Sequence, residues 1–336
     1  MTTGKPVVAH VIGCPAGIAP ELSARMLADA DLNEMARLIA IGDARILAYG
    51  ARTANVSPSL TVVGENDPIP AGTGPVLIDL PRLDPVDLRI GELHKPAGIA
   101  AMANFQKGLS LAAGGQVDAL TFSPFNKASM RLAHPSYEDE VVFMNEFLDF
   151  KGIASEFNIL PDLWNARVTS HVPISGVTAL ITKENVMRAL RLTNQAMHAA
   201  GFSPPRIALA GLNPHAGDGG NFGREEIDVL EPLVAAAQAE GIHCAGPFPS
   251  DTVFVRARKG EFDGVLTMYH DQGQIAMKLI GFDQGVTMLG GYRFPIATAA
   301  HGSAYDIAGK GIANPGAMHN AMKLAIKMAG AGRGER

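Results

Sequence analysis

The strongest constraint on the fold of this chain is a repeated alternation of short apolar runs with longer helical stretches. Runs at 7–13, 37–42, 75–80, 118–124, 167–174, 206–212, 264–270 and 295–300 are apolar, bounded by Gly, Pro or Asn, and read as strands. The clearest helix between them is 183–200. There Val186, Leu190 and Met197 share one face, Thr182 is a suitable N-cap, and Gly201 with Pro204 and Pro205 stops the helix. Strands separated in this way pair into a largely parallel sheet covered on both faces, an α/β protein. The weakly patterned stretch 57–75, rich in Pro, Gly and Asp, reads as a surface excursion, and no internal repeat or low-complexity tract breaks the order.

At 336 residues, with 47% hydrophobic and 18% charged, the chain can bury a large core and is long enough for two domains or one large α/β unit. A net charge of -5 without a basic cluster offers no footprint for nucleic acid or an anionic membrane, which leaves small molecules as the expected partners. Cys14 and Cys244 are too few for a disulfide framework or a cysteine zinc site. The start MTTGKPVVAHVIG lacks the pattern of a signal peptide, and no apolar run reaches the ~18 residues that span a bilayer. A cytoplasmic enzyme is the expectation.

Chemistry-bearing residues gather where strands end. The stretch GVLTMYHDQGQIAMK (264–278) runs from an apolar strand into Tyr269, His270, Asp271 and Gln272, with the ammonium of Lys278 beyond. Open α/β sheets keep their ligands at that carboxyl edge. Its plainer reading is a strand-to-loop turn in which His270 caps a carbonyl. GCPAGIAPE (13–21) follows a strand and places Pro20 in the first turn of a helix whose N–H groups suit an anion or a cofactor's polar edge, although it is no GxGxxG fingerprint. NPHAGDGGNFGREE (213–226) combines four glycines, His215, and Glu225 and Glu226 at a helix start, so its backbone can pass close to a ligand. With His171 in TSHVPI, three histidines, His171, His215 and His270, each follow an apolar strand. Their spacing is no local zinc signature, yet a parallel sheet would converge them on one edge, where three imidazoles could hold one divalent ion with a position open for substrate. His10, His94, His134, His198, His243 and His319 lack such company and read as surface or core residues.

The run HGSAYDIAGKGIANP (301–315) is very similar to the adenosine-binding loop of isopropylmalate dehydrogenases. The resemblance implies that Gly302, Ser303, Asp306, Ile307 and Asn314 bind the cofactor. It also implies NAD over NADP, because the Asp306 carboxylate suits ribose hydroxyls and would repel a 2'-phosphate. In order along the chain, GxPAGIxPE, PxNK (124–127), TxHxP (169–173), NPHAGxGGxxGxEE, YHDQG and HGSAxxxAGxG resemble the 4-hydroxythreonine-4-phosphate dehydrogenase family over essentially the whole length. That likeness implies a two-domain isocitrate/isopropylmalate dehydrogenase-like fold with a cleft between domains. The expected domains are 1–125 with 300–336, and 126–299 carrying the dimer interface. It further implies a homodimer, NAD, and one divalent ion (zinc, magnesium, manganese or cobalt) near the subunit interface, held by His171, His215 and His270. Lys278 takes the place of the substrate lysine, and Asp251 and Asp271 are the nearby acids, all three expected to be catalytic.

The departures from the family bear on substrate. Cys14 stands where Asp is usual and Ala19 where Gly is. A substrate-binding His-Thr pair aligns with Glu138 and Asp139, an Asn with Thr287, and an Arg with Ile296. Two carboxylates near a phosphate and a lost arginine disfavour a phosphorylated substrate. Arg293 in GGYR matches an arrangement in relatives resembling terephthalate cis-dihydrodiol dehydrogenase. The expectation is therefore oxidation, with decarboxylation, of a secondary alcohol in an unphosphorylated diol carboxylate bound by Glu138, Asp139, Lys278, Thr287 and Arg293. The alternative is 4-hydroxythreonine-4-phosphate dehydrogenase itself. A non-catalytic NAD sensor and a metal-dependent hydrolase are the rivals from other classes.

Overall fold

A computed structural model describes residues 4–334. Twelve strands form among the described residues: β1 (Val7–Val11), β2 (Arg37–Gly42), β3 (Thr61–Gly64), β4 (Val76–Asp79), β5 (Ala119–Phe122), β6 (Ser155–Leu160), β7 (Leu163–Arg167), β8 (Ile207–Ala210), β9 (Cys244–Phe248), β10 (Gly264–Thr267), β11 (Val286–Gly290) and β12 (Ile296–Ala299). The chain divides into two compact units. The first runs to Ala154 and resumes at Tyr292; the second is Ser155–Gly291.

In the first unit the strand order is β3-β4-β2-β1-β5-β12, and every pair is parallel. β1, β2, β5 and β12 are buried almost throughout, as strands covered on both faces must be. The helix Lys95–Ala113 covers β1, β2 and β5 and brings Phe105 to 4.9 Å from Phe125, 5.3 Å from Phe122 and 5.7 Å from Phe143, ring to ring. Phe143 belongs to the helix Glu140–Phe147. That aromatic cluster holds residues 126–154 in the first unit, so the divisions fall at 154/155 and 291/292, whereas the sequence suggested 125/126 and 299/300.

The second unit has the order β11-β6-β7-β10-β8-β9. β7, β10, β8 and β9 are mutually parallel, and β6 runs antiparallel to both its neighbours. Several elements differ from the sequence reading. β3 crosses the supposed excursion as a mostly exposed edge strand. β6 and β7 form a hairpin about Pro161 and Asp162, hidden in the sequence because Glu156, Asn158, Asn165 and Arg167 interrupt the apolar run. Three of those polar groups satisfy one another, since Arg167, buried, donates to Glu156 and Asn158, and Gln274 also donates to Asn158 at 2.7 Å, while Asn165 donates to backbone carbonyls of its own and the neighbouring strand. β7 ends at Arg167, so 168–174 is not strand, and a 12-residue helix, His270–Gly281, begins where a loop was expected. The helix Lys183–Ala199 forms as expected, with Thr182 accepting from the Asn185 amide. No described helix is long and apolar enough to cross a membrane.

Candidate active site

In the second unit, β7, β10 and β8 are neighbours and parallel, so their carboxyl ends emerge side by side. His171 follows β7, His270 follows β10, and His215 follows β8. The segment after β7 stays tied to that after β10 through the Val168 amide on the Thr267 carbonyl (2.9 Å) and the Thr169 amide on the Met268 carbonyl (3.1 Å). This brings the rings of His171 and His270 to 6.1 Å, centroid to centroid. His270 Nδ1 lies 2.7 Å from Asp271 Oδ1, which leaves Nε2 for a ligand. Gln272 links the neighbouring loops: its Oε1 accepts from the Met268 amide (2.8 Å) and its Nε2 donates to the Gly211 carbonyl (2.9 Å).

His215 sits on an unusual turn. His215, Ala216, Gly217, Asp218 and Gly219 all have positive φ, 53°, 52°, 83°, 45° and 65°, a short left-handed coil that L residues adopt at a cost. Its ring faces Phe222 at 6.2 Å. Among the described residues, no group of three or more His, Cys, Asp or Glu side chains is close enough within this chain to hold a metal. His171 and His270 approach each other without completing a group of three ligands, and His215 is not drawn into one with them. Lys278, exposed, lies eight residues along the helix from His270, about 12 Å along its axis. Asp251 is exposed in the first turn of Ser250–Arg258, after β9, and Thr287 is half-buried in β11 opposite Asn158. The structure thus gathers His171, His270 and Asp271, sets Lys278 further along the helix of His270, and leaves Asp251 and Thr287 on other elements. Sequence reasoning passed over Gln272 as a tether and took Glu226 only for a helix start.

In the first unit, the loop after β12 packs on the GCPAGIAPE turn. The Ile18 amide donates to the Ser303 carbonyl (3.0 Å), and a Cβ on Gly17 would come within 2.5 Å of that oxygen. Glu21, buried, accepts from the amides of Gly311 (3.1 Å) and Ala313 (3.0 Å). The helix Ala19–Ala28 therefore begins buried, its first turn holding the loop, and does not present the open N-terminus that the sequence suggested. Gly302 and Asp306 are exposed, Ser303 is buried, and Ile307 packs with Ile18, Leu22 and Ala313. Asn314 Oδ1 accepts from the Gly316 amide at the start of Gly316–Gly334. Cys14, a departure from the family pattern, touches this loop: Tyr305 Oη lies 3.1 Å from Cys14 Sγ and 3.0 Å from Ser129 Oγ. Burial raises the Cys14 thiol pKa, and the side chain packs with Ala16 and Ala97. Burial likewise lowers His10 to about 3, and its neutral ring bonds Thr121 and Ser23 inside the core.

The residues that spoke against a phosphate have other occupations. Asp139 is the N-cap of Glu140–Phe147, its Oδ1 accepting from the Val142 amide at 2.9 Å, and Glu140 pairs with Lys127 at 3.4 Å. Only Glu138 of the pair is exposed without that role. Ile296 is wholly buried in β12 opposite Leu120. The cation of this segment is Arg293, exposed next to Tyr292, whose hydroxyl donates to Asn145 at 2.8 Å.

The chain matches the family model described as pyridoxal phosphate biosynthetic protein PdxA over residues 34–325. It is 53% identical over 326 residues, 97% of this chain and 94% of the relative, to a Rhizobium meliloti protein provisionally named 4-hydroxythreonine-4-phosphate dehydrogenase 2. It is 36% identical, over 99% of both chains, to a Symbiobacterium thermophilum protein provisionally named D-threonate 4-phosphate dehydrogenase. Among solved structures, a 4-hydroxythreonine-4-phosphate dehydrogenase from Klebsiella pneumoniae superposes with TM-score 0.82 at 32% identity, covering 98% of this chain and 99% of that one. A terephthalate 1,2-cis-dihydrodiol dehydrogenase from Burkholderia xenovorans gives 0.68 at 28%, covering 96% and 98%. With a model that spans most of the chain and relatives this similar over nearly their whole length, the chain belongs to the PdxA family of pyridoxal phosphate biosynthetic proteins.

Proposed function

We propose that this chain is an NAD- and divalent-metal-dependent dehydrogenase that oxidises the C3 hydroxyl of a four-carbon hydroxy acid bearing a 4-phosphate. Substrates of this chemistry are 4-hydroxythreonine 4-phosphate and D-threonate 4-phosphate, the compounds for which its relatives are named. This reading replaces the unphosphorylated cis-dihydrodiol carboxylate. The dihydrodiol enzyme is the more distant structure, and Asp139, which caps a helix, no longer argues against phosphate. What carries it is the placement of three histidines beyond three adjacent parallel strands in a chain of this family.

Oxidation at C3 yields a ketone β to the carboxylate, which loses carbon dioxide readily. A bound divalent ion supplies the Lewis acidity that lowers the alcohol pKa and steadies the enolate. His171, His215 and His270 are the proposed ligands, with Asp271 fixing the His270 ring. Arg293 binds the phosphate and Lys278 the substrate carboxylate; Glu138 and Thr287 line the substrate, and Asp251 serves proton transfer. Asp306 accepts from the ribose hydroxyls of NAD.

The active form is a homodimer in this reading. Ile275, Leu279 and Phe282 are 59%, 83% and 53% exposed, and their i, i+4, i+7 spacing makes one apolar stripe that starts beside His270. A second copy covering that stripe would bring further ligands to the histidines, which a single chain does not cluster. Light scattering should show a dimer that Leu279→Lys converts to monomer; a monomeric wild type would end this part of the reading.

The main test is NADH formation by metal-loaded protein with each phosphate and with a cis-dihydrodiol carboxylate, before and after chelation. Turnover of one phosphate, lost on chelation and reduced more than about a hundredfold in folded His270→Ala, is expected. Turnover of the diol alone would overturn the reading. NADH formation of any kind excludes a non-catalytic NAD sensor.

A further inference from the structure

We propose that Glu226 is the positioning residue of the second unit's site: its buried carboxylate holds the left-handed turn that presents His215, and the glycines around it make room for that carboxylate. The inference rests on the reading of His215 as a residue of the active site.

Glu226 is 0% exposed. Its Oε1 accepts from the amides of Leu212 (2.7 Å) and Asn213 (2.8 Å), and its Oε2 accepts from Asn213 Nδ2 (2.9 Å). No ion pair to Glu226 occurs among the described residues; neutral N–H donors alone compensate its burial. Such a group is costly to hide and is kept where it organises its neighbours. Here the neighbours need organising, because His215, Ala216 and Asp218 all carry a Cβ in the left-handed region and the turn is not stable by itself.

The glycines of the motif follow from the same carboxylate. A Cβ on Gly217 would come within 2.7 Å of Glu226 Oε2, and one on Gly211 within 3.1 Å of Oε1. A Cβ on Gly223 would strike Asn213 Nδ2 at 2.3 Å, the group that clamps the carboxylate. Asn213 Nδ2 also donates to Glu225 Oε2 (2.7 Å), so its amide orientation is set from both sides. Glu226 itself opens a π-helical turn, Glu226–Leu230, a local widening that recurs at functional sites. Asn213, Gly217, Gly223, Glu225 and Glu226 are therefore one device that aims the residue between them.

The test is Glu226→Gln. Glutamine keeps an acceptor for the two backbone amides but turns an NH2 toward Asn213 Nδ2. Asn213 cannot flip to meet it without setting its oxygen against Glu225. Amide exchange at Leu212 and Asn213 should quicken about tenfold. kcat should fall about 10- to 100-fold, while NAD affinity by calorimetry stays at the wild-type value. The double variant His215→Ala/Glu226→Gln should turn over no more slowly than His215→Ala alone, because Glu226 acts through His215. Asn213→Ala, which removes the clamp and spares the carboxylate, gives a second route if Glu226→Gln folds poorly, with the same quickened exchange expected. Native exchange rates in the variants, or losses that multiply in the double variant, would overturn the inference. A wild type inactive on both phosphates would defeat the proposed function. The exchange at Leu212 and Asn213 would then decide the inference alone, local acceleration supporting it and none refuting it.

Discussion

Two loops of this molecule are each held by a buried glutamate, and they use it differently. In the first unit Glu21 accepts from the amides of Gly311 and Ala313 and steadies a loop in which Ala304 is the only residue other than glycine with positive φ. In the second unit Glu226 holds a turn in which His215, Ala216 and Asp218 share the left-handed region. A loop that offers mainly backbone and open space can rely on glycine and a modest tether. A loop that must aim one imidazole accepts strained residues and needs a tighter hold.

Substitutions separate the two cases. The largest loss of stability is expected from Gly217→Ala, which places a Cβ at φ 83° within 2.7 Å of the Glu226 carboxylate; denaturant titration should show a loss of at least ~2 kcal/mol. A near-neutral result would mean that the turn is not braced as described. Glu21→Gln sets an amide against one of two backbone donors, at about 1–3 kcal/mol. Calorimetry should then record NAD binding weakened about tenfold, with Leu212 and Asn213 exchange unaltered. If those two amides respond, the loops are not independent devices. Gly302→Ala is the smallest change, since nothing lies within 4 Å of its added methyl, and stability should stay within ~0.5 kcal/mol. Weaker NAD binding in that variant would show that the open space belongs to the cofactor. Unchanged binding would remove Gly302 from the cofactor site.

Much of the fold was legible because its signals are local. The helix Lys183–Ala199 carries its own N-cap in Thr182 and its own stop in Gly201, with φ 88°. β1, β2, β4, β5, β8, β10 and β12 are apolar runs whose burial on both faces leaves a continuous hydrophobic signature. The β6–β7 hairpin escaped because Arg167 and Glu156, read singly, look like surface residues; their pairing lets Arg167 lie buried.

The sequence by itself determined the α/β class and the polar groups at strand ends, because strand, cap and turn propensities act over a few neighbouring residues. Tertiary structure alone decided that β7, β10 and β8 lie side by side, that Asp139 caps a helix, and that Glu21 and Glu226 reach back to hold distant loops. Strand order and buried hydrogen bonds are set by pairing between residues far apart in the chain, sometimes by nearly three hundred positions as from Glu21 to Gly311. No local pattern encodes such partners; they are chosen when the sheet assembles and each buried polar group must find one.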